Sequence, residues 1–285
     1  RTSSGLILID KPVGLTSQQA VQRVRRALGV ERAGHTGTLD PFATGLLLVL
    51  LGRATRLAAY VVDEPKEYEA TVRFGVETDT DDSTGTATRV ASAPSEGSIA
   101  RGVALLTGAI EQTPPAFSAK HVAGRRAYAL ARRGASLQLA PVQVRVERWT
   151  ILAQTADTLR VRITCSGGTY IRALARDLGR LTGSAAHCAE LRRTRCGPFA
   201  VSDAVTPDAA QPGDVLPPAI AVRDLPTQAV DAAGALGVAH GRPIAATIDG
   251  ARSALVDAEG NLVAIAERAD NHWHPRVVLS EPAVP

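Results

Sequence analysis

The 285-residue sequence has no methionine, three cysteines, and only three lysines among its 32 basic residues, the rest being arginine. Cys165, Cys188 and Cys196 are odd in number and lack C-x-x-C spacing, which argues against a disulfide framework and a structural zinc site, and for a reducing compartment. No apolar run approaches the roughly 18 residues that span a bilayer. Arg1-Thr-Ser-Ser leads into a short strand pattern instead of a signal-peptide core, so a cytoplasmic protein with no membrane contact is expected. Two metal-like patterns fail on inspection. Counted from Asp79, the acidic stretch 78–85 has Thr84 where a calcium loop needs glycine and Val90 where it needs glutamate. His187 beside Cys188 has no further ligands at useful spacing and reads as a core histidine. The expectation is therefore no metal and no cofactor.

What is present is a foldable chain with 45% hydrophobic residues and a formal charge of +4. Arginine supplies a planar fork for phosphates and a flat face for bases, so an acidic polymer is a plausible partner. The length allows one large domain followed by a small one.

The organising stretch is 32–52. Asp40 sits in a glycine-rich polar loop that runs into the apolar residues 46–51, bounded by Gly45 and Gly52, which read as a fully buried strand. Pro41 fixes its own φ and pushes Asp40 toward extended geometry, so the carboxylate is held in place. On turn chemistry alone an Asp-Pro pair is an ordinary turn former.

Elsewhere, 6–10 reads as a strand, and Thr16 or Ser17 caps a helix through Leu28 that Gly29 closes. Residues 53–62 have helical spacing. Lys66-Glu-Tyr-Glu-Ala-Thr-Val-Arg-Phe74 alternates like a half-buried strand, with Tyr68 on the face of Ala70 and Val72, where packing as a core tyrosine is the ordinary reading. After Pro114 and Pro115, the segment containing Lys120 leads to Arg125, Arg126, Arg132 and Arg133 around Tyr128, read as a short helix suited to phosphate contact and stacking. Two strands, 142–152 and 158–165, precede Gly168-Thr-Tyr-Ile-Arg172, where Thr169 is the expected N-cap. An arginine in a first helical turn opposes the helix dipole and asks for a carboxylate partner. The segment 183–199 reads as a strand crossed by Arg192, Arg193 and Arg195; 208–226 reads as a proline-rich linker; a compact β-rich tail follows.

Several of these strings together resemble the TruB-type pseudouridine synthases. Gly34-His-Thr-Gly-x-Leu-Asp-Pro-x-Ala-x-Gly45 matches the family's catalytic signature, and Asp10-Lys11-Pro12-x-Gly14, Lys66-x-Tyr68 and Gly168-Thr-Tyr-Ile-Arg172 match three further motifs. The resemblance implies an α+β fold with a mixed, largely antiparallel central sheet flanked by helices, and a small β-rich PUA-like C-terminal domain. It implies a catalytic domain over 1–220 with a thumb-like insertion at about 115–141, and an RNA-binding domain over 221–285. It implies an isomerase that converts the T-loop uridine at position 55 of tRNA to pseudouridine by base flipping, with Asp40 catalytic. Tyr68 would stack on the base, Tyr170 would lie near it, and Arg172 would pair with Asp40. His35, Leu191, Asp82 and Lys120 would contact or position the nucleotide, while Lys11 and Pro12 give structural support. Arg125, Arg126, Arg132 and Arg133 would form the RNA-binding thumb. The expected partner is the tRNA T stem-loop, with no protein partner implied and a monomer expected. The adjacent Arg172 is expected to keep Asp40 ionised by lowering its pKa. Two rivals stay open at this point: a glycosidase, which wants a second carboxylate straddling one bond, and a pure RNA-binding protein, which would keep the arginines without needing Asp40.

Overall fold

The computed structural model describes residues 4–116, 121–122, 125–126 and 139–279. Helix α1 (Ser17–Ala27) follows strand β1 (Gly5–Lys11) and starts at a capping box in which Thr16 and Gln19 satisfy each other's backbone N–H groups. The next strands are β2 (Ala33–His35), β3 (Thr44–Leu51), β4 (Lys66–Phe74), β5 (Val76–Thr78) and β6 (Ala87–Val90). Helix α2 (Glu96–Leu105) then leads to β7 (Gly108–Gln112), β8 (His121–Val122), β9 (Arg125–Arg126), β10 (Val142–Gln154) and β11 (Thr158–Cys165). Helix α3 (Ile171–Leu181) is followed by β12 (Ala186–Cys196) and β13 (Phe199–Ala200). The last elements are β14 (Thr227–Ala229), helix α4 (Ala232–Ala239), β15 (Ile244–Ala245), β16 (Arg252–Val256), β17 (Leu262–Ala269) and β18 (His272–Val278).

Among the described residues one nine-stranded sheet runs β1-β3-β12-β4-β11-β10-β7, with β2 paired to β3 and β13 to β12. All of its pairings are antiparallel except β3 with β12. This is the mixed, largely antiparallel α+β fold expected from the sequence. A C-terminal five-stranded sheet, β14-β16-β17-β18-β15, forms the β-rich unit.

The run 46–51 is apolar at every position because β3 is buried on both faces. On one face Ile7, Ile9, Leu47 and Val49 pack against Val21 and Val24 of α1. On the other face Leu6, Leu8, Leu46, Leu48 and Leu50 share a core with Ile265 and Val277 of the C-terminal sheet. A third core lies under α3, where Tyr68, Val72, Val161 and Ile163 meet Leu174 and Leu178.

Two local expectations change. Residues 53–62 give only a 3-10 turn, Gly52–Leu57. The supposed linker 208–226 is a strap on the outer edge of β1: Leu6 and Leu216 exchange both backbone hydrogen bonds, at 3.0 and 2.8 Å, and Ala210, Ala221 and Val222 are buried. Its prolines prevent a regular strand, yet its apolar side chains cover an edge that would otherwise be open.

The parallel contact places Arg193 opposite Gly45 at the mouth of the Asp40 loop. Gly45 has φ +104°, and a Cβ there would stand 2.2 Å from the Arg193 carbonyl oxygen. Gly45→Ala should therefore cost roughly 3 kcal/mol or more, read as a lowered urea midpoint at unchanged slope; a midpoint equal to that of the parent would mean this close approach is not required.

Candidate active site

Asp40 is fastened from both sides. Ser17, almost fully buried at the start of α1, accepts from the Leu39 N–H at 2.8 Å and donates to the Leu39 carbonyl at 3.0 Å. The Gly14 N–H donates to the Pro41 carbonyl at 2.7 Å. From β12, Arg193 donates to the carbonyls of Leu46 (2.8 Å), Gly37 (3.1 Å) and Thr38 (3.4 Å) while only 2% exposed. The loop thus holds its shape before anything binds.

Arg172, in the first turn of α3, places Nε 2.9 Å from Oδ2 of Asp40 and Nη1 3.4 Å from Oδ2 of Asp82. Nη1 also donates to the Thr80 carbonyl at 2.7 Å. Asp82 is in turn oriented by Thr80 and Thr84, whose hydroxyls donate to its Oδ1 at 2.8 and 2.6 Å. One helical turn further on, Arg176 pairs with Asp81 at 2.8 Å, and after another turn Arg180 pairs with Glu77. Asp81 and Asp82 of the acidic stretch that imitates a calcium loop, with Glu77 just before it, are therefore counter-charges for one face of α3. Docking against β12 through the Ser83–Ala189 and Cys188–Asp81 hydrogen bonds keeps it there.

Asp40, Tyr68, Tyr170, Arg172, Leu191 and Arg193 wall a cavity of about 210 Å³, which Lys66 also lines. Across Leu191, a second cavity of about 720 Å³ is bordered by Val13, Pro41, Phe42, Arg160 and Arg192. Two opposing influences act on Asp40. Burial raises its pKa above the ordinary 3.8, Arg172 pulls it down, and the neighbouring Asp82 raises it again. The upward direction prevails, opposite to the sequence expectation, because the loop walls desolvate the carboxylate more than one guanidinium compensates. About a third of the side chain still faces the cavity. Burial also brings the Lys11 ammonium down to about 8, and pushes the Tyr68 hydroxyl up to about 12 despite its contact with Arg193.

Residues 25–171 match the model of the TruB family pseudouridylate synthase N-terminal domain, and 172–211 match the tRNA pseudouridylate synthase B C-terminal domain. The chain belongs to the TruB family. The protein named tRNA pseudouridine synthase B from Aromatoleum aromaticum is 44% identical over 277 residues, covering 94% of this chain and 89% of that protein. The protein of the same name from Thermobifida fusca is 41% identical over 290 residues, covering 98% and 99%. A chain in the crystal structure of a Cbf5-Nop10-Gar1 complex is similar with a TM-score of 0.72 at 25% identity, over 98% of this chain and 85% of that one.

Of the residues the TruB motifs single out, Asp40, Tyr68, Tyr170, Arg172 and Leu191 meet at one cavity. Asp82 reaches it through Arg172. Lys11, fully buried, donates to the carbonyls of Pro12 (3.0 Å) and Leu15 (2.8 Å). His35 is half-buried on β2, opposite Val49, and is not among the cavity residues. Thr169 is not the N-cap of α3; Tyr170 is, without a side-chain capping bond, and Gln112 binds its backbone N–H and carbonyl. Arg125 and Arg126 form strand β9, paired with His121 and Val122, where a helix had been expected. Backbone pairing across β8 and β9 takes the hydrogen bonds a helix would use. Lys120, Arg132 and Arg133 lie outside the described residues. Sequence reading missed Arg193 as a brace, although its period-two spacing from Leu191 places both on one face of β12. It also missed Ser17, Gln112 and Arg176, whose partners lie far away in sequence.

Arg176→Met should destabilise the fold by about 3–5 kcal/mol at neutral pH, because it strands the Asp81 carboxylate without its counter-charge. Burial already lifts Asp81 to about 6, and losing Arg176 lifts it further. A raised folded pKa means that the folded chain keeps a proton the unfolded chain has released, so stability falls as pH climbs through that value. Urea unfolding of the variant should show a smaller deficit at pH 5 than at pH 8; a deficit independent of pH would contradict the pairing.

Proposed function

We propose that this chain isomerises the T-loop uridine at position 55 of tRNA to pseudouridine, with Asp40 as the catalytic carboxylate and the target nucleotide flipped out of its stack. The observation that carries this reading is the Asp40–Arg172 pair, at 2.9 Å, on the wall of a 210 Å³ cavity that also presents Tyr68, Tyr170 and Leu191. That volume is below the roughly 300–1,000 Å³ of drug-sized sites and suits one flat base. The names of the relatives, tRNA pseudouridine synthase B, support tRNA as the substrate.

The chemistry cleaves the bond between uracil N1 and ribose, turns the base, and rejoins it through carbon. It needs a carboxylate acting as nucleophile or base on the uracil–ribose unit, held where the base arrives. Asp40 meets that need. Arg172 steadies its anionic form, and Asp82 sets the other side of the guanidinium. Extruding a stacked nucleotide costs a few kcal/mol, and a stack on Tyr68 recovers about 1–3 kcal/mol of it. The larger cavity beyond Leu191, with Arg160 and Arg192 on its rim, has room for the adjoining RNA. The arginines of the 115–141 insertion serve as a thumb on the T stem-loop, and the sheet that begins at Thr227 serves as a PUA-like RNA-binding unit. A glycosidase reading is weaker, since the second carboxylate beside Asp40 is engaged by Arg172, Thr80 and Thr84 instead of facing a bond across the cavity.

Asp40→Asn should lower pseudouridine formation in an unmodified tRNA transcript by about 10³-fold or more while tRNA binding persists; full activity would remove Asp40 from the chemistry. Because the ionised carboxylate is the reactive form and its pKa is raised, the rate should fall on the acid side at a pH above an ordinary aspartate's 3.8. Arg172→Gln removes the main influence opposing that rise, so the acid limb of the single-turnover rate should move to higher pH, and an unmoved limb would break the electrostatic assignment.

A further inference from the structure

Gln112 is the last residue of β7, opposite Val142 at the start of β10, so the insertion leaves and re-enters the sheet at this pair. Its side chain points away from that pairing into α3 and is 1% exposed. There Oε1 accepts from the Tyr170 N–H at 2.8 Å and Nε2 donates to the Tyr170 carbonyl at 3.1 Å. The donor identity of the Tyr170 N–H fixes which way the amide is turned. Both backbone groups of one residue are thus held by one side chain.

That residue is critically placed. Tyr170 is the N-cap of α3, has no capping bond of its own, and lines the cavity; Arg172 follows two positions later with Nε on Asp40. Fixing both peptide groups flanking Tyr170 fixes the direction in which its ring leaves the backbone and the rotation of the helix start that carries Arg172. The same strand end is tied a second time, since the Thr113 carbonyl accepts from Arg176 Nη2 at 2.8 Å. A side chain of this length is needed: asparagine is one methylene too short to reach both atoms, and leucine or methionine would fill the space without aligning anything.

Building on the proposed function, we propose that Gln112 is a positioning residue for the isomerisation, acting through Tyr170 and Arg172 to hold the guanidinium against Asp40. It touches neither substrate nor reacting atoms.

The test compares Gln112→Met, Gln112→Glu and Asp40→Asn with the parent chain, using unmodified tRNA transcript as probe. Gln112→Met should remain folded and bind tRNA within about twofold of the parent. Its single-turnover rate should drop roughly 10- to 100-fold, the scale of a small misplacement in an active site. Its acid limb should move to higher pH, since a poorly seated Arg172 opposes the raised Asp40 pKa less well. Gln112→Glu, whose buried carboxyl reproduces both bonds when protonated, should recover most of the rate. A Gln112→Met enzyme with parental rate and limb overturns the inference, as does a rate loss matched by loss of folded protein with no shift of the limb. Should Gln112→Met not fold, Gln112→Asn takes its place with the same expected rate and limb. Asp40→Asn separates the two levels: if it is inactive while Gln112→Met is parental, only this inference falls, and if it is active, the proposed function falls with it.

Discussion

The structure turns on a ladder of charge along one face of α3. Arg172, Arg176 and Arg180 follow each other at intervals of one helical turn, and each meets a carboxylate from another part of the chain: Asp40 with Asp82, then Asp81, then Glu77. Buried ions are tolerated only when paired and further hydrogen-bonded, and here the loop carbonyls of Thr80 and Thr113 complete the set. The 77–82 segment thus supplies a carboxylate to each of the three arginines, of which Arg172 and Arg176 are buried and Arg180 is about half exposed. Asp81 accepts a left-handed backbone, φ 59°, to make its contact. Asp40 is thus held by a scaffold whose next pair, Arg176 with Asp81, lies deeper than it does.

Backbone carbonyls do comparable work at the other end of the site. Arg193 donates to the loop carbonyls of Gly37 and Thr38 and to Leu46 of β3, and Lys11 donates to two more carbonyls. An arginine, which in sequence suggests phosphate contacts, is here an enclosed support. This division between buried braces and exposed arginines matters for any reading of the surface, because an arginine count overstates the charge offered to a nucleic acid.

Motif spacing made much of the centre legible: Asp40, Tyr68, Tyr170, Arg172 and Leu191 were singled out, and one cavity gathers them. The two-sided burial of 46–51 could also be read, since a strand with polar residues on neither face has no solvent side. What stayed hidden depends on tertiary partners. Gln112 and Tyr170 are 58 positions apart, so nothing local marks the amide as a clamp. The strap at 208–226 looks like a linker because prolines remove regular structure without removing the apolar side chains that hold it to β1. The pKa of Asp40 was misjudged for a related reason: the sequence displays the arginine, whereas desolvation belongs to the assembled walls.

The shared core between the two sheets has a bearing on how the chain is made. Leu46, Leu48 and Leu50 are synthesised early, but Ile265 and Val277, which cover them, come more than two hundred residues later. Until β17 and β18 leave the ribosome, that face of β3 has only the earlier members of its core, such as Ala54 and Leu57, to cover it, and its neighbour β12 is itself late. A nascent chain of this kind is open to off-pathway association through most of its translation. Its folding efficiency in the cell should therefore be more sensitive to chaperone supply than the stability of the finished protein would suggest.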